Sequence, residues 1–94
     1  MKIPKQIKIG GHIFKVIIED RDNVGADGKL GSCKASINKI WLDIKQPQTQ
    51  MESTLLHEII EALNWQMNIG ISEEKICQLE AGLYQTLKDN DLLK

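Results

Sequence analysis

His57, Glu58 and Glu61 are the residues of this chain whose types and spacing could do chemistry, set in the run Leu55-Leu56-His57-Glu58-Ile59-Ile60-Glu61-Ala62-Leu63. Residues four apart share a helix face, so an imidazole at 57 and a carboxylate at 61 could meet at one metal ion. Glu58 follows the imidazole directly, where a carboxylate can take a proton from water beside such an ion. The pattern is that of the metal-binding H-E-x-x-H helix, with Glu61 in place of the second histidine. Metal-assisted hydrolysis is the chemistry this set would perform. A plainer reading competes: the same three residues are ordinary on the solvated face of an amphipathic helix.

These residues need a helix to hold them, and the pattern supplies one. Pro47 marks its start, with Thr49-x-x-Glu52 as a capping-box candidate, and it is expected over about 48–68. Leu55, Leu56, Ile59, Ile60, Leu63 and Met67 recur at helical spacing and predict the core face. His57 and Glu61 then fall on the other side, flanked by Thr54, Glu58, Asn64 and Trp65. After Asn68-Ile69-Gly70-Ile71, where Gly70 is a C-cap candidate, Ser72 is a strong N-cap and Glu73-Glu74 suit a helix N-terminus. This second helix is expected over about 72–89, with Ile76, Leu79, Leu83, Tyr84 and Leu87 as its apolar stripe and Cys77 at the edge. Glu80 interrupts the stripe, and a carboxylate there needs a partner.

The short connection predicts an antiparallel helical hairpin. Folding the chain about Gly70 brings Glu80 opposite the neighbourhood of Glu61, so His57, Glu61 and Glu80 converge as three candidate metal ligands. Glu73, two turns earlier on nearly the same side, is the alternative third ligand and is equally suited to be a first-turn helix-dipole residue. Glu80 could also be satisfied without metal, by Tyr84, Asn64 or a strand backbone.

The first half of the chain reads as strands, expected within about 6–44. Ile7 and Ile9 alternate with lysines, Gly10-Gly11 makes a turn, and His12 to Ile18 is β-branched and aromatic. His12 is expected to be a strand or turn residue. Asp20 to Gly31 is rich in Asp, Asn and Gly, with Asp27-Gly28 a turn dipeptide. Asp20, Asp22 and Gly25 match part of a calcium loop, but Gly31 stands where the bidentate Glu belongs and Val24 where an oxygen belongs, which favours a solvated loop. Strands should resume on either side of Ser36. From Ile37 to Ile44, Ile40, Leu42 and Ile44 fall on one face, and Ile37, Lys39, Trp41 and Asp43 on the other.

Ninety-four residues, 41% hydrophobic and 27% charged, fit a single domain spanning 1–94 with a modest core, to which a metal or a partner subunit would add stability. Twelve basic against 13 acidic residues give a net charge of −1 without a basic face, which excludes a nucleic-acid footprint. No apolar run approaches the ~20 residues needed to span a bilayer. Cys33 and Cys77 lack C-x-x-C spacing and Met1-Lys2-Ile3-Pro4-Lys5 lacks a signal-like apolar run, so a reduced, cytoplasmic setting is expected.

Three segments carry a resemblance: Lys8-Ile9-Gly10-Gly11-His12, Leu55-Leu56-His57-Glu58-Ile59-Ile60, and Gly82-Leu83-Tyr84-Gln85-Thr86-Leu87-Lys88-Asp89-Asn90. Over nearly its whole length the chain is similar to a family of small phage- and prophage-encoded bacterial proteins that resemble minimal zincin (minigluzincin-like) metallopeptidases. The nineteen-residue interval from Glu61 to Glu80 is also similar to the ligand spacing of thermolysin-like gluzincins. The resemblance implies an α+β fold, with a three- to four-stranded antiparallel sheet beside an active-site helix and a second helix completing the site. It implies a peptidase-like hydrolase in which His57 is the first metal ligand, Glu58 the general base, and Glu61 the occupant of the second histidine's place. Zinc is the implied metal, although one histidine with two carboxylates is a harder, more anionic set than zinc prefers.

In such folds an edge strand beside the active helix pairs with extended peptide. The strand from Ile37 to Ile44 is the sequence-level candidate, with Trp41 and Lys39 facing the cleft or solvent and Trp65 as a further groove wall. The expected partner is a peptide or protein. The two tryptophans could equally bury a homodimer contact. The rivals to a hydrolase are a non-catalytic binding or regulatory protein that keeps the groove and, more weakly, a structural dimer module.

Overall fold

The computed structural model describes residues 1–20 and 30–93. Four strands and two helices follow in the order β1 (Gln6–Ile9), β2 (His12–Glu19), β3 (Gly31–Lys34), β4 (Lys39–Asp43), α1 (Gln48–Gln66) and α2 (Glu73–Asp89), with a 3-10 turn at Ala35–Ile37. The class is α+β, as expected, and both helices lie within two residues of their expected bounds. The turn dipeptide Asp27-Gly28, and Asp22, Val24 and Gly25 of the calcium-like pattern, lie outside the described residues.

Gly10 and Gly11 close the β1–β2 hairpin with φ of +57° and +85°, the left-handed pair that a two-residue turn between antiparallel strands demands. Ile9 pairs with His12 across it. Gly10 has a second reason to be glycine: a Cβ there would stand 1.8 Å from Gln66 Oε1 at the end of α1. The 3-10 turn ends on Asn38 in the left-handed region at φ 57°, and the strands on either side of it flank Ser36 as the sequence predicts.

The sheet corrects two expectations. Its order is β1-β2-β4-β3, and it is mixed rather than antiparallel, because β4 runs parallel to β2 while pairing antiparallel with β3. The reason is apolar content. Ile40 and Leu42 are fully buried, which draws β4 to the interior of the sheet. Short β3, with a glycine and a lysine at its ends, takes the edge. The strand expected to offer a free edge to peptide is therefore paired on both sides.

Phe14, Val16, Ile40 and Leu42 of the sheet pack with Met51, Leu55 and Ala62 of α1 as one core. Ile44 lies past the end of β4 and is exposed. The buried face of α1 is Met51, Glu52, Thr54, Leu55, Glu58 and Ala62, rotated from the expected one, which included the exposed Met67 and left Thr54 and Glu58 outside. The helix starts at Pro47 without a side-chain cap. The capping box does not form, because Glu52 turns to α2, where it accepts from Tyr84 Oη at 2.8 Å and Lys88 Nζ at 3.2 Å.

The two helices are antiparallel, since Ser53 and His57 meet Glu80 while Glu52 meets Tyr84 and Lys88. Asn64 sets the connection. Its Oδ1 accepts from the backbone N–H of Gly70 at 2.9 Å and Ile71 at 3.0 Å, while its Nδ2 donates to Ile71 O. The left-handed residue after α1 is Asn68, at φ 52°, with Gly70 following at φ +80°. Ser72 caps α2 as predicted, accepting from Lys75 N–H. No helix among the described residues is long and apolar enough to cross a membrane.

Candidate metal centre

One cleft, about 490 Å³ in volume, runs between β3, α1 and α2, and His57, Glu58, Glu61, Glu73, Cys77 and Glu80 all line it. His57 is the hub. Its Nδ1 lies 2.8 Å from Glu80 Oε1, and its Nε2 lies 2.9 Å from Glu73 Oε1 and 3.5 Å from Glu61 Oε1. The second oxygen of Glu80 accepts from Ser53 Oγ. The hairpin produces this convergence: Glu73, Cys77 and Glu80 follow at i, i+4 and i+7 on α2 and so present one stripe toward α1.

Both imidazole nitrogens thus face carboxylate oxygens, an arrangement that favours the ring with both nitrogens protonated. Burial opposes that charge, but the Glu80 hydrogen bond and the charges of Glu58, Glu73 and Glu80 outweigh it and raise the His57 pKa. Glu58, only 6% exposed, sits deeper. Its pKa is raised to about 7: burial is the largest cause, the charge of His57 opposes it, and the charges of Glu61, Glu73 and Glu80 add to it. Such a carboxylate can hold or release a proton near neutral pH.

The cleft's third wall is the edge strand. A Cβ on buried Gly31 would stand 2.6 Å from Thr54 Cγ2 and 3.3 Å from Glu58 Oε2, so glycine is what lets α1 approach β3 closely enough to bury Glu58. Cys33 follows on the same face of β3; its thiol pKa is pushed up to about 12 by burial and by Glu58 and Glu61. Cys77 is exposed, and its pKa is also raised, first by local desolvation and then by the charges of Glu73, Glu80 and Glu61.

Among the described residues, His57, Glu73 and Cys77 form a group whose ligand atoms all lie within 4.8 Å of one another and which could hold a metal ion. Donor atoms around a tetrahedral zinc stand about 3.3–3.8 Å apart, as bonds of 2.0–2.3 Å require, so only a small contraction is needed. An imidazole, a carboxylate and a thiol form a set suited to zinc-like metals. Glu61 and Glu80, the carboxylates singled out with His57 from spacing, both touch the His57 ring.

Trp65 is not a groove wall, and of the two placements open to Trp41 and Lys39, cleft or solvent, the cleft is excluded. Trp41 and Lys39 lie on β4 in register with Ser32 and Lys34 of β3, on the opposite side of the strand from buried Ile40 and Leu42, and neither lines the cleft. Trp65 stands one turn beyond Glu61, is 63% exposed, and also lies outside the cleft lining. Gly31, Ser32 and Cys33 of β3 take the place expected of β4. Cys77 was within reach of sequence reasoning as the middle member of the 73/77/80 stripe. Cys33 and Gly31 were not, because their place depends on strand order. No protein-family model, no curated protein and no solved structure matches this chain.

Proposed function

We propose that this protein is a metal-dependent hydrolase of peptide bonds, built on a variant H-E-x-x-E helix and akin to the phage-encoded minimal zincins its sequence resembles. The observation that carries the reading is Glu58: a buried carboxylate with a pKa of about 7, beside a histidine and a metal-capable donor group in one cleft. A divalent metal held by His57 and its neighbours would supply Lewis acidity for carbonyl polarisation and water attack. Glu58 takes the proton from the attacking water and passes it to the leaving amine, work for which a pKa close to the working pH is best. The edge of β3, unpaired among the described residues beyond β4, offers backbone N–H and C=O groups along the cleft to an extended chain.

The test is hydrolysis of an unstructured protein such as casein by zinc-loaded protein and by Glu58→Gln. Cleavage by the parent and its loss in the variant, with metal content equal, supports the reading; no cleavage by stoichiometrically loaded parent rejects it. One observation favours a non-catalytic binding or regulatory protein instead. His57 is satisfied on both nitrogens by carboxylates, so the hub is complete as an ion-pair cluster without metal. That alternative predicts unchanged behaviour of Glu58→Gln in every binding assay.

A further inference from the structure

We propose that the metal site of this cleft is a thiolate site formed by His57 Nε2, Glu73 and Cys77, and that Glu80 is the positioning carboxylate of His57 rather than a ligand. The proposal rests on the reading of the cleft as a metal centre and specifies its donors. It replaces the ligand set that spacing suggests, His57 with Glu61 and Glu80.

The two nitrogens of the His57 ring have different partners. Glu80 occupies Nδ1 at 2.8 Å and is itself held by Ser53. A carboxylate bonded to Nδ1 lies across the ring from Nε2, so it cannot reach an ion bound there. It does what outer carboxylates do for metal-binding histidines: it fixes the tautomer, aims the ring and raises its basicity. Ser53 on α1 and Glu80 on α2 brace this arrangement from both helices.

The Nε2 side is where donors gather. Glu73 Oε1 is 2.9 Å away, and Cys77 Sγ is 3.9 Å from that same oxygen. Both residues stand on the first turns of α2 at the mouth of the cleft, with the Glu73 side chain 66% accessible. Glu61 Oε1, at 3.5 Å from Nε2, stands on the same side. A metal entering here replaces the proton between His57 and Glu73 and the proton of the Cys77 thiol, both released to solvent. A donor set of one nitrogen, one oxygen and one sulfur selects zinc or cobalt(II) over magnesium and calcium, which take oxygen ligands.

Cobalt(II) titration of the metal-free protein tests this directly, because a thiolate ligand gives a charge-transfer band in the near ultraviolet. The parent is expected to show the band at one equivalent; Cys77→Ser loses it and binds at least tenfold more weakly. Glu80→Gln is expected to keep the band at the same position while the Kd rises roughly ten- to a hundredfold, the cost typical of losing an outer-shell partner. Cobalt binding without the band, or a band that survives Cys77→Ser and disappears in Cys33→Ser, overturns the thiolate site and leaves the hydrolase reading standing. A change in the visible ligand-field bands on Glu80→Gln, or an unaltered Kd, overturns the positioning role. Failure of the parent to bind either cobalt(II) or zinc ends both the site and the hydrolase reading.

Discussion

Glu52 and Glu58 stand six residues apart on the same helix, both almost fully buried, yet their environments push them in opposite directions. Glu52 looks toward α2. Burial alone would raise its pKa, but hydrogen bonds from Tyr84, Gln48 and Lys88 and the charge of Lys88 outweigh burial and lower it to about 2. Glu58 looks toward β3 and the cleft, where no hydrogen-bond donor reaches it among the described residues, and it rises to about 7. The first is a carboxylate surrounded by donors, which marks it as structural. The second is buried beside three other carboxylates and one imidazole, an arrangement that costs stability and is characteristic of sites that do chemistry.

The largest expected effect breaks the pair by function. On the proposed hydrolase reading, Glu58→Gln removes the proton acceptor and should lower peptide hydrolysis about 10²- to 10⁴-fold, the usual worth of a general base, while leaving thermal stability at neutral pH unchanged or raised. Glu52→Gln should do the reverse. It leaves Lys88 without its carboxylate and weakens the Tyr84 bond, at a cost of about 2 kcal/mol by urea denaturation, with hydrolysis per folded molecule unaltered. Equal destabilisation by the two variants would show that the contrast is not real.

A pH series sharpens the same comparison. Glu52 binds its proton more weakly folded than unfolded, so its stabilisation is complete above its ordinary pKa of 4.5 and is lost as the pH falls from there toward about 2. Glu58 binds its proton more tightly when folded. Its contribution is therefore present below 4.5 and is lost as the pH rises through about 7. Unfolding of the metal-free protein, followed at several pH values, should show an acid limb that flattens in Glu52→Gln. The decline between pH 4.5 and 7 should flatten in Glu58→Gln. A parent profile that both variants reproduce would refute the opposed shifts.

How far the sequence foretold this pair is a matter of which interactions are local. The Gly10-Gly11 hairpin, the Ser72 cap and the convergence of Glu80 on His57 follow from turn chemistry, capping and the hairpin geometry of two helices in succession, and all were readable. The burial of Glu58 was not. Helical periodicity grouped the aliphatic residues Leu55, Leu56, Ile59, Ile60, Leu63 and Met67, but α1 packs on two neighbours, the sheet and α2, so one apolar stripe does not define its buried face. Only the sheet order, set by long-range pairing of β4 between β2 and β3, says that a glycine edge strand will lie over Thr54 and Glu58. The same ignorance of strand order made β4, an interior strand, the candidate edge for peptide pairing. Glu52 looked like a capping residue because its true partners, Tyr84 and Lys88, are more than thirty positions away.

The smallest expected effect reaches Glu58 without replacing it. Gly31→Ala places a methyl group 2.6 Å from Thr54 Cγ2, 3.0 Å from the Trp41 carbonyl oxygen and 3.3 Å from Glu58 Oε2. Thr54 cannot turn away freely, because its hydroxyl donates to Gln46 Oε1 at 2.8 Å, and Gln46 Nε2 in turn donates to the backbone carbonyls of Leu30 and Asp43 at 3.0 Å each. The Trp41 carbonyl belongs to the ladder between β3 and β4 and is equally fixed. Relief must therefore come from the edge strand lifting off α1, at a cost of about 1–2 kcal/mol. Lifting β3 admits water to Glu58, and a rehydrated carboxylate titrates lower. A carbon-13 NMR titration of the side-chain carboxyls should show Glu58 moving from about 7 toward the ordinary range in Gly31→Ala, while Glu52, on the far flank of the same helix, stays near 2. If Glu58 does not move, the close approach of β3 is not what keeps it protonated, and the carboxylates of α2 must be doing so instead.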